Sequence, residues 1–130
     1  MEPRHPEPIS RSEWRPAVKL MLYDGSSRFF GPGPADLLTA VRDSKSIKEA
    51  AAATGISYAK ARQMLDRLEA HLAYTIVDRQ QGGSGGGQAI LTEAGERLLA
   101  AWEAYTADVE RYVADTYRDQ LEPMLRQDES

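Results

Sequence analysis

The spacing of apolar residues changes character along this chain, and each change marks an element. Val18, Leu20 and Leu22 alternate with Lys19, Met21 and Tyr23, the pattern of a strand with one covered face. Asp24-Gly25 offers a tight turn before Arg28-Phe29-Phe30, so an N-terminal hairpin over one side of a core is predicted. Gly31-Pro32-Gly33-Pro34 breaks that strand. Pro34, with its fixed φ, suits the start of a helix to about Asp43 that buries Leu37, Leu38 and Val41.

A helical pair comes next. Ser46 can cap the first helix, with Glu49 completing a capping box, and Ile47, Ala50, Ala51 and Ala53 form a small apolar face. Gly55 suits the left-handed position that ends a helix, and Ile56 is placed to plug the angle between the two helices. Ser57 caps the second helix, where Ala61, Met64, Leu65, Leu68 and Leu72 recur at three- and four-residue spacing. Two packed helices alone fit many all-α domains. The segment after them decides against that reading, because Thr75–Arg79 (TIVDR) and Ala89–Leu91 (AIL) are strand-like and flank a turn at Gln80–Gly87. The order predicts a winged helix-turn-helix, mainly α with a small β component.

The glycine run 82–87 has other readings. A linker between domains would leave both strand segments unpaired. A nucleotide-binding loop would end in Gly-Lys followed by Ser or Thr, and this run ends in Gly-Gln-Ala. A wing tip whose bare backbone approaches DNA phosphates is the better account.

From Thr92, a candidate cap, the pattern becomes sustained helix. Leu98, Trp102, Tyr105, Val109, Tyr112 and Thr116 recur in steps of 4, 3, 4, 3 and 4, the seam spacing of a coiled coil. A helix over 92–121 would extend about 45 Å at ~1.5 Å per residue, more than a small domain covers. Leu98, Trp102, Tyr105, Val109 and Tyr112 are therefore the expected homodimer interface, the alternative being a helix folded back on its own domain. The expected divisions are a tail over 1–16, a winged helix-turn-helix over 17–91, a dimerisation helix over 92–122 and a tail over 123–130.

Charge sharpens the choice of partner. A net charge of −4 is unsuited to a polyanion, yet residues 1–91 hold 12 Lys and Arg against 10 Asp and Glu, or +2, while residues 92–130 hold 4 against 10, or −6. The acidic excess thus lies outside the helical pair, and a dimer would double the modest basic contribution. In the second helix of such a pair the first turns meet base edges. Lys60, Arg62 and Gln63 are the expected base readers, with Tyr58 on a phosphate or a thymine methyl; Ser46, Lys48, Ser57, Arg79, Gln81, Gly82 and Gly83 are the expected backbone contacts. With 130 residues and 42% hydrophobic content the chain suits one compact domain plus an appendage. Cysteine is absent, which excludes disulfides and thiolate zinc sites. No apolar run spans a membrane and the polar, proline-rich start is unlike a signal peptide, so a cytoplasmic protein is expected. His5 and His71 stand apart and Ser84 has no evident base, so neither an enzyme nor a metal or other cofactor is expected.

The string GGSGGGQAILTEAGERLL at 82–99, with GISY at 55–58 and LLTAVRDSKSIKEAA at 37–51, resembles the N-terminal DNA-binding domain of the molybdate-responsive ModE family, itself related to LysR-type winged helices. The similarity runs over about residues 17–120. It implies a transcriptional regulator binding double-stranded DNA, with Ser57, Tyr58, Lys60 and Arg62 in the recognition helix and Arg79, Gln81 and the glycines in the wing. Where the family often has a basic residue after the Tyr and a Trp four residues after it, this chain has Ala59 and Arg62, so a target sequence does not transfer. Molybdate-sensing members carry further C-terminal oxyanion-binding modules; a stand-alone form without direct molybdate binding is expected here. The rival readings are a winged-helix adaptor that binds protein rather than DNA and a small oxyanion-binding protein.

Overall fold

The computed structural model describes residues 13–80 and 87–127. Along the chain run β1 (Leu22–Asp24), β2 (Ser27–Phe30), α1 (Pro32–Ser44), α2 (Ile47–Thr54), α3 (Tyr58–Leu72), β3 (Val77–Gln80), β4 (Gln88–Leu91) and α4 (Glu93–Thr116). A π-helical turn at Tyr117–Leu121 and a short α5 (Glu122–Leu125) complete the order. The described residues form two compact units, one within Lys19–Ala107 and one of residues 13–18 with 108–127.

In the first unit, Gly25 takes a left-handed φ of 61° between β1 and β2, and Tyr23 pairs with Arg28 and Asp24 with Ser27. The strand is shorter than the alternation suggests. It starts at Leu22, with a register shift between Leu22 and Tyr23, and Val18 is exposed. Helix α1 opens at Pro32, two residues early, because Gly31 serves as its N-cap and a proline lacks the N–H that the first turn leaves unused anyway. Its end is unusual. Lys45, which is not glycine, takes a left-handed φ of 57°, and its N–H donates to Val41 O at 2.7 Å.

The α2–α3 corner closes as its residues require. The Ser46 hydroxyl accepts from Glu49 N at 3.1 Å, while Ser46 N donates to Ser44 Oγ rather than to the Glu49 carboxylate, so only half of the capping box forms. Gly55 sits at φ 74°, and Ile56 N donates to Ala51 O at 3.0 Å, the longer-range bond of a Schellman ending. Ser57 Oγ accepts from Lys60 N at 3.0 Å and starts α3.

The core joins α1, α2, α3, the strand ends and the start of α4. Leu37, Leu38, Val41, Leu65, Leu68, Ile76 and Leu99 are almost wholly buried, and Met64, Leu72 and Ile56 pack against them. Each such aliphatic side chain contributes about 1.5–3 kcal/mol relative to exposure. Ala53, by contrast, is exposed. Phe30 packs edge-on to Trp102, with ring centroids 4.8 Å apart, and Phe29 stacks on His71, whose Nδ1 lies 3.1 Å from Asp24 Oδ2. The second hairpin pairs Val77 with Leu91 through Gln80 with Gln88, and Ala89 N donates to Lys45 O, tying β4 to the α1–α2 corner.

A close approach seats α4. Thr92 Oγ1 donates to Thr75 O at 2.8 Å and accepts from Gly95 N at 3.0 Å. A Cβ on Gly95 would overlap the Ile76 carbonyl oxygen and stand 3.1 Å from Ile76 Cγ2. Glycine lets helix and strand touch there.

In the other unit the expected uninterrupted helix does not persist. Pro123 has no N–H to donate to Asp119, and its ring excludes the ordinary register at that carbonyl. The helix widens before it, with Glu122 N donating five residues back to Tyr117 O. Nearby, the Arg126 guanidinium stacks over the Trp14 ring, 5.0 Å from its centroid, and pairs with Glu122 at 3.1 Å.

Candidate nucleic-acid interface

One side of α3 is occupied by the core through Ala61, Leu65 and Leu68. At about 100° per residue the opposite side is led by Ala59 and Gln63, and both are exposed. Tyr58 and Arg62 fall on one flank, Lys60, Met64 and Arg67 on the other. The recognition surface is thus a short stripe with two different shoulders.

The Tyr58 shoulder faces the wing. Arg62 lies over the Tyr58 ring, its Cζ 5.7 Å from the centroid, a cation–π contact that restrains both side chains. Tyr58, Arg62, Lys48 and Ser46 line a cleft completed by Arg79 and Gln88 of the wing strands. No carboxylate lines it among the described residues. Ser46 and Ser57 each accept a backbone N–H. Each hydroxyl hydrogen therefore remains to donate, which is what a phosphate oxygen needs.

Arg79, expected at the phosphate backbone, is paired within its own domain. Its Nη1 donates to Asp66 at 2.8 Å and its Nη2 to Glu69 at 3.1 Å, so its charge is already balanced within the domain. Glu69 is the missed residue behind this arrangement. Its other oxygen accepts from Ile76 N at 2.7 Å and Val77 N at 3.1 Å, bracing the end of α3 against the start of β3. The spacing of Asp66 and Glu69 along α3, opposite an arginine in the predicted strand, was the available signal. Gln81, Gly82 and Gly83 lie outside the described residues.

The expected seam on α4 divides. Leu99 and Trp102 are in the core of their own domain and Leu98 packs against it, because the first turns of α4 cover Phe30. Trp102 is therefore buried, and Leu98 partly buried, against their own domain. Tyr105 and Tyr112 are 49% and 70% exposed, and Val109 is half-buried. Among the described residues no group of three or more His, Cys, Asp or Glu could hold a metal ion, and no helix is long and apolar enough to cross a membrane.

Residues 35–96 match the family of bacterial regulatory helix-turn-helix proteins of the lysR type. This stretch is a LysR-type helix-turn-helix domain. The domain is homologous to the "molybdenum-pterin-binding protein MopB" of Rhodobacter capsulatus, 38% identical over 78 residues, which are 60% of this chain and 29% of that protein. It is likewise homologous to the "transcriptional regulator ModE" of Yersinia pestis, 32% identical over 96 residues, 74% of this chain and 36% of the relative. The "DNA-binding transcriptional dual regulator ModE" of Escherichia coli K12 is 32% identical over 91 residues, 70% of this chain and 34% of the relative. The chain thus spans about a third of the length of these relatives. In fold, the LysR-type domain resembles the BenM DBD solved with benA site 1 DNA, with a TM-score of 0.52 at 20% identity over 68% of this chain and 94% of that one. A LysR family transcriptional regulator matches with a TM-score of 0.51 at 17% identity over 68% of this chain and 29% of the other. These likenesses establish the winged helix fold.

Proposed function

We propose that this domain reads double-stranded DNA by sequence as part of a transcriptional regulator, with Gln63 and Arg62 on base edges and Ser46, Lys48 and Ser57 on the phosphate backbone. One observation carries the reading: the outward stripe of α3 is exposed and borders a cleft that holds cations and hydroxyls but no carboxylate among the described residues. Gln63 is suited to a bidentate contact with adenine, and Arg62 to guanine. Tyr58 holds Arg62 in place rather than reading a base itself. The names of the homologous regulators support the same reading, which is one of binding rather than catalysis. Direct molybdate binding forms no part of it.

The proposal includes a homodimer formed through Tyr105, Val109 and Tyr112, which would set two α3 helices for half-sites one DNA turn, about 34–36 Å, or a multiple apart. Selection of bound sequences from a random duplex pool tests both parts. A paired motif is expected, and Gln63→Ala is expected to relax preference at one position of each half-site. Failure to retain any duplex at low salt would favour the protein-binding adaptor instead.

A further inference from the structure

The second shoulder of α3 carries a feature that helix-turn-helix logic does not call for. Lys60 and Arg67 line one wall of a cleft whose other wall is the N-terminal hairpin and the segment leading into it, with Arg28 on β2 and Lys19 ahead of β1. Met21, Phe29 and Met64 contribute apolar lining, and no carboxylate lines it among the described residues. None of the four cations meets a carboxylate within 4.0 Å among the described residues; Arg28 Nη1 lies 3.0 Å from the Met21 sulfur, which orients the guanidinium without neutralising it. The unit Lys19–Ala107 holds 10 Lys and Arg against 10 Asp and Glu. Four unpaired cations gathered on one shoulder of a neutral unit are therefore a marked segregation of charge.

We infer that the cleft formed by Lys19, Arg28, Lys60 and Arg67 is a second phosphate-backbone site, through which the N-terminal hairpin grips the DNA strand on the far side of the groove from the wing. The inference deepens the proposed DNA reading and rests on it. A helix in a groove about 12 Å wide has a phosphate strand on either side. The wing-side cleft faces one strand, and the hairpin cleft lies on the opposite flank of the same helix. Its lining suits phosphates: four cations over an apolar floor, with no carboxylate among the described residues to repel them; Lys60, expected from the sequence on a base edge, is placed here on the backbone. The hairpin lies ahead of the residues matched to the LysR-type helix-turn-helix family, 35–96.

The test is a salt titration of duplex binding by the full chain, read by fluorescence anisotropy on the selected sequence and on a random duplex. Each phosphate contact contributes about 0.9 to the slope of log affinity against log salt. Lys19→Gln with Arg28→Gln is expected to lower that slope by about 2 per bound protomer and to weaken both duplexes by the same factor. Arg67→Gln, on the other wall, is expected to lower it by about 1 per bound protomer, and an unchanged Tm shows that either variant is folded. A parent-like slope in folded variants overturns the hairpin site and leaves the DNA reading standing. So does a loss confined to the selected sequence, since that marks base readers. No duplex binding by the parent at low salt overturns the DNA reading and this inference together.

Discussion

The two shoulders of α3 use positive charge in opposite ways. On the wing side, Arg79 is held by Asp66 and Glu69, and Arg62 lies on Tyr58, so cations there serve geometry as much as attraction. On the hairpin side Lys19, Arg28, Lys60 and Arg67 meet no carboxylate among the described residues. Affinity for a polyanion depends on the charge left over after internal pairing, not on the number of basic residues near a motif. Under the proposed reading the wing side combines readout with one backbone cation, Lys48, while the hairpin side supplies the larger salt-dependent attraction.

The strongest way to break the contrast is to remove the brace on the wing side. Glu69→Ala leaves the Ile76 and Val77 N–H groups without their acceptor and releases Arg79, and an orphaned donor costs about 1–3 kcal/mol. A stability loss of about 3 kcal/mol is expected in urea unfolding, with Glu69→Gln recovering part of it; a loss near zero would show that the carboxylate does not hold the wing. Gly95→Ala comes next. Its methyl overlaps the Ile76 carbonyl, and a backbone shift of that kind costs about 1–3 kcal/mol, visible as a lower Tm.

Smaller effects sharpen the comparison through DNA binding. Arg62→Ala is expected to cost about 1–3 kcal/mol on the selected duplex and little on a random one; an equal loss on both would move Arg62 from base to phosphate. Asp66→Asn takes away one of the two carboxylates that neutralise Arg79. Because the pair is largely exposed on the Asp66 side, stability should change by less than about 1 kcal/mol. Affinity for random duplex should rise, with a steeper salt slope. A fall in affinity would mean that Asp66 positions Arg79 for the backbone.

Much of the frame could be read in the residues themselves. Ser46, Gly55 and Ser57 are local signals, each acting on backbone groups within a few positions, and each sits where its chemistry requires. Both hairpins were legible with shifted ends: the alternation over Val18–Tyr23 becomes strand only from Leu22, and Thr75–Arg79 with Ala89–Leu91 becomes Val77–Gln80 paired with Gln88–Leu91. What escaped were contacts set by tertiary approach. The seam spacing of α4 is the same whether a side chain meets a partner or its own core, so nothing local distinguished Trp102, which packs on Phe30, from Tyr112, which stays exposed. Arg79 looked available because Glu69 lies ten residues away in sequence. Lys19 and Arg28 read as the polar side of a strand, and only the fold brings them beside Lys60 and Arg67.

Amide and side-chain NMR during titration with the selected duplex tests the central claim most directly. The largest shift changes are expected at Ser57–Gln63, with the Gln63 side-chain amide among the most affected and smaller changes along both shoulders. Changes confined to α4, with the Gln63 amide unmoved at saturation, would contradict DNA reading by α3.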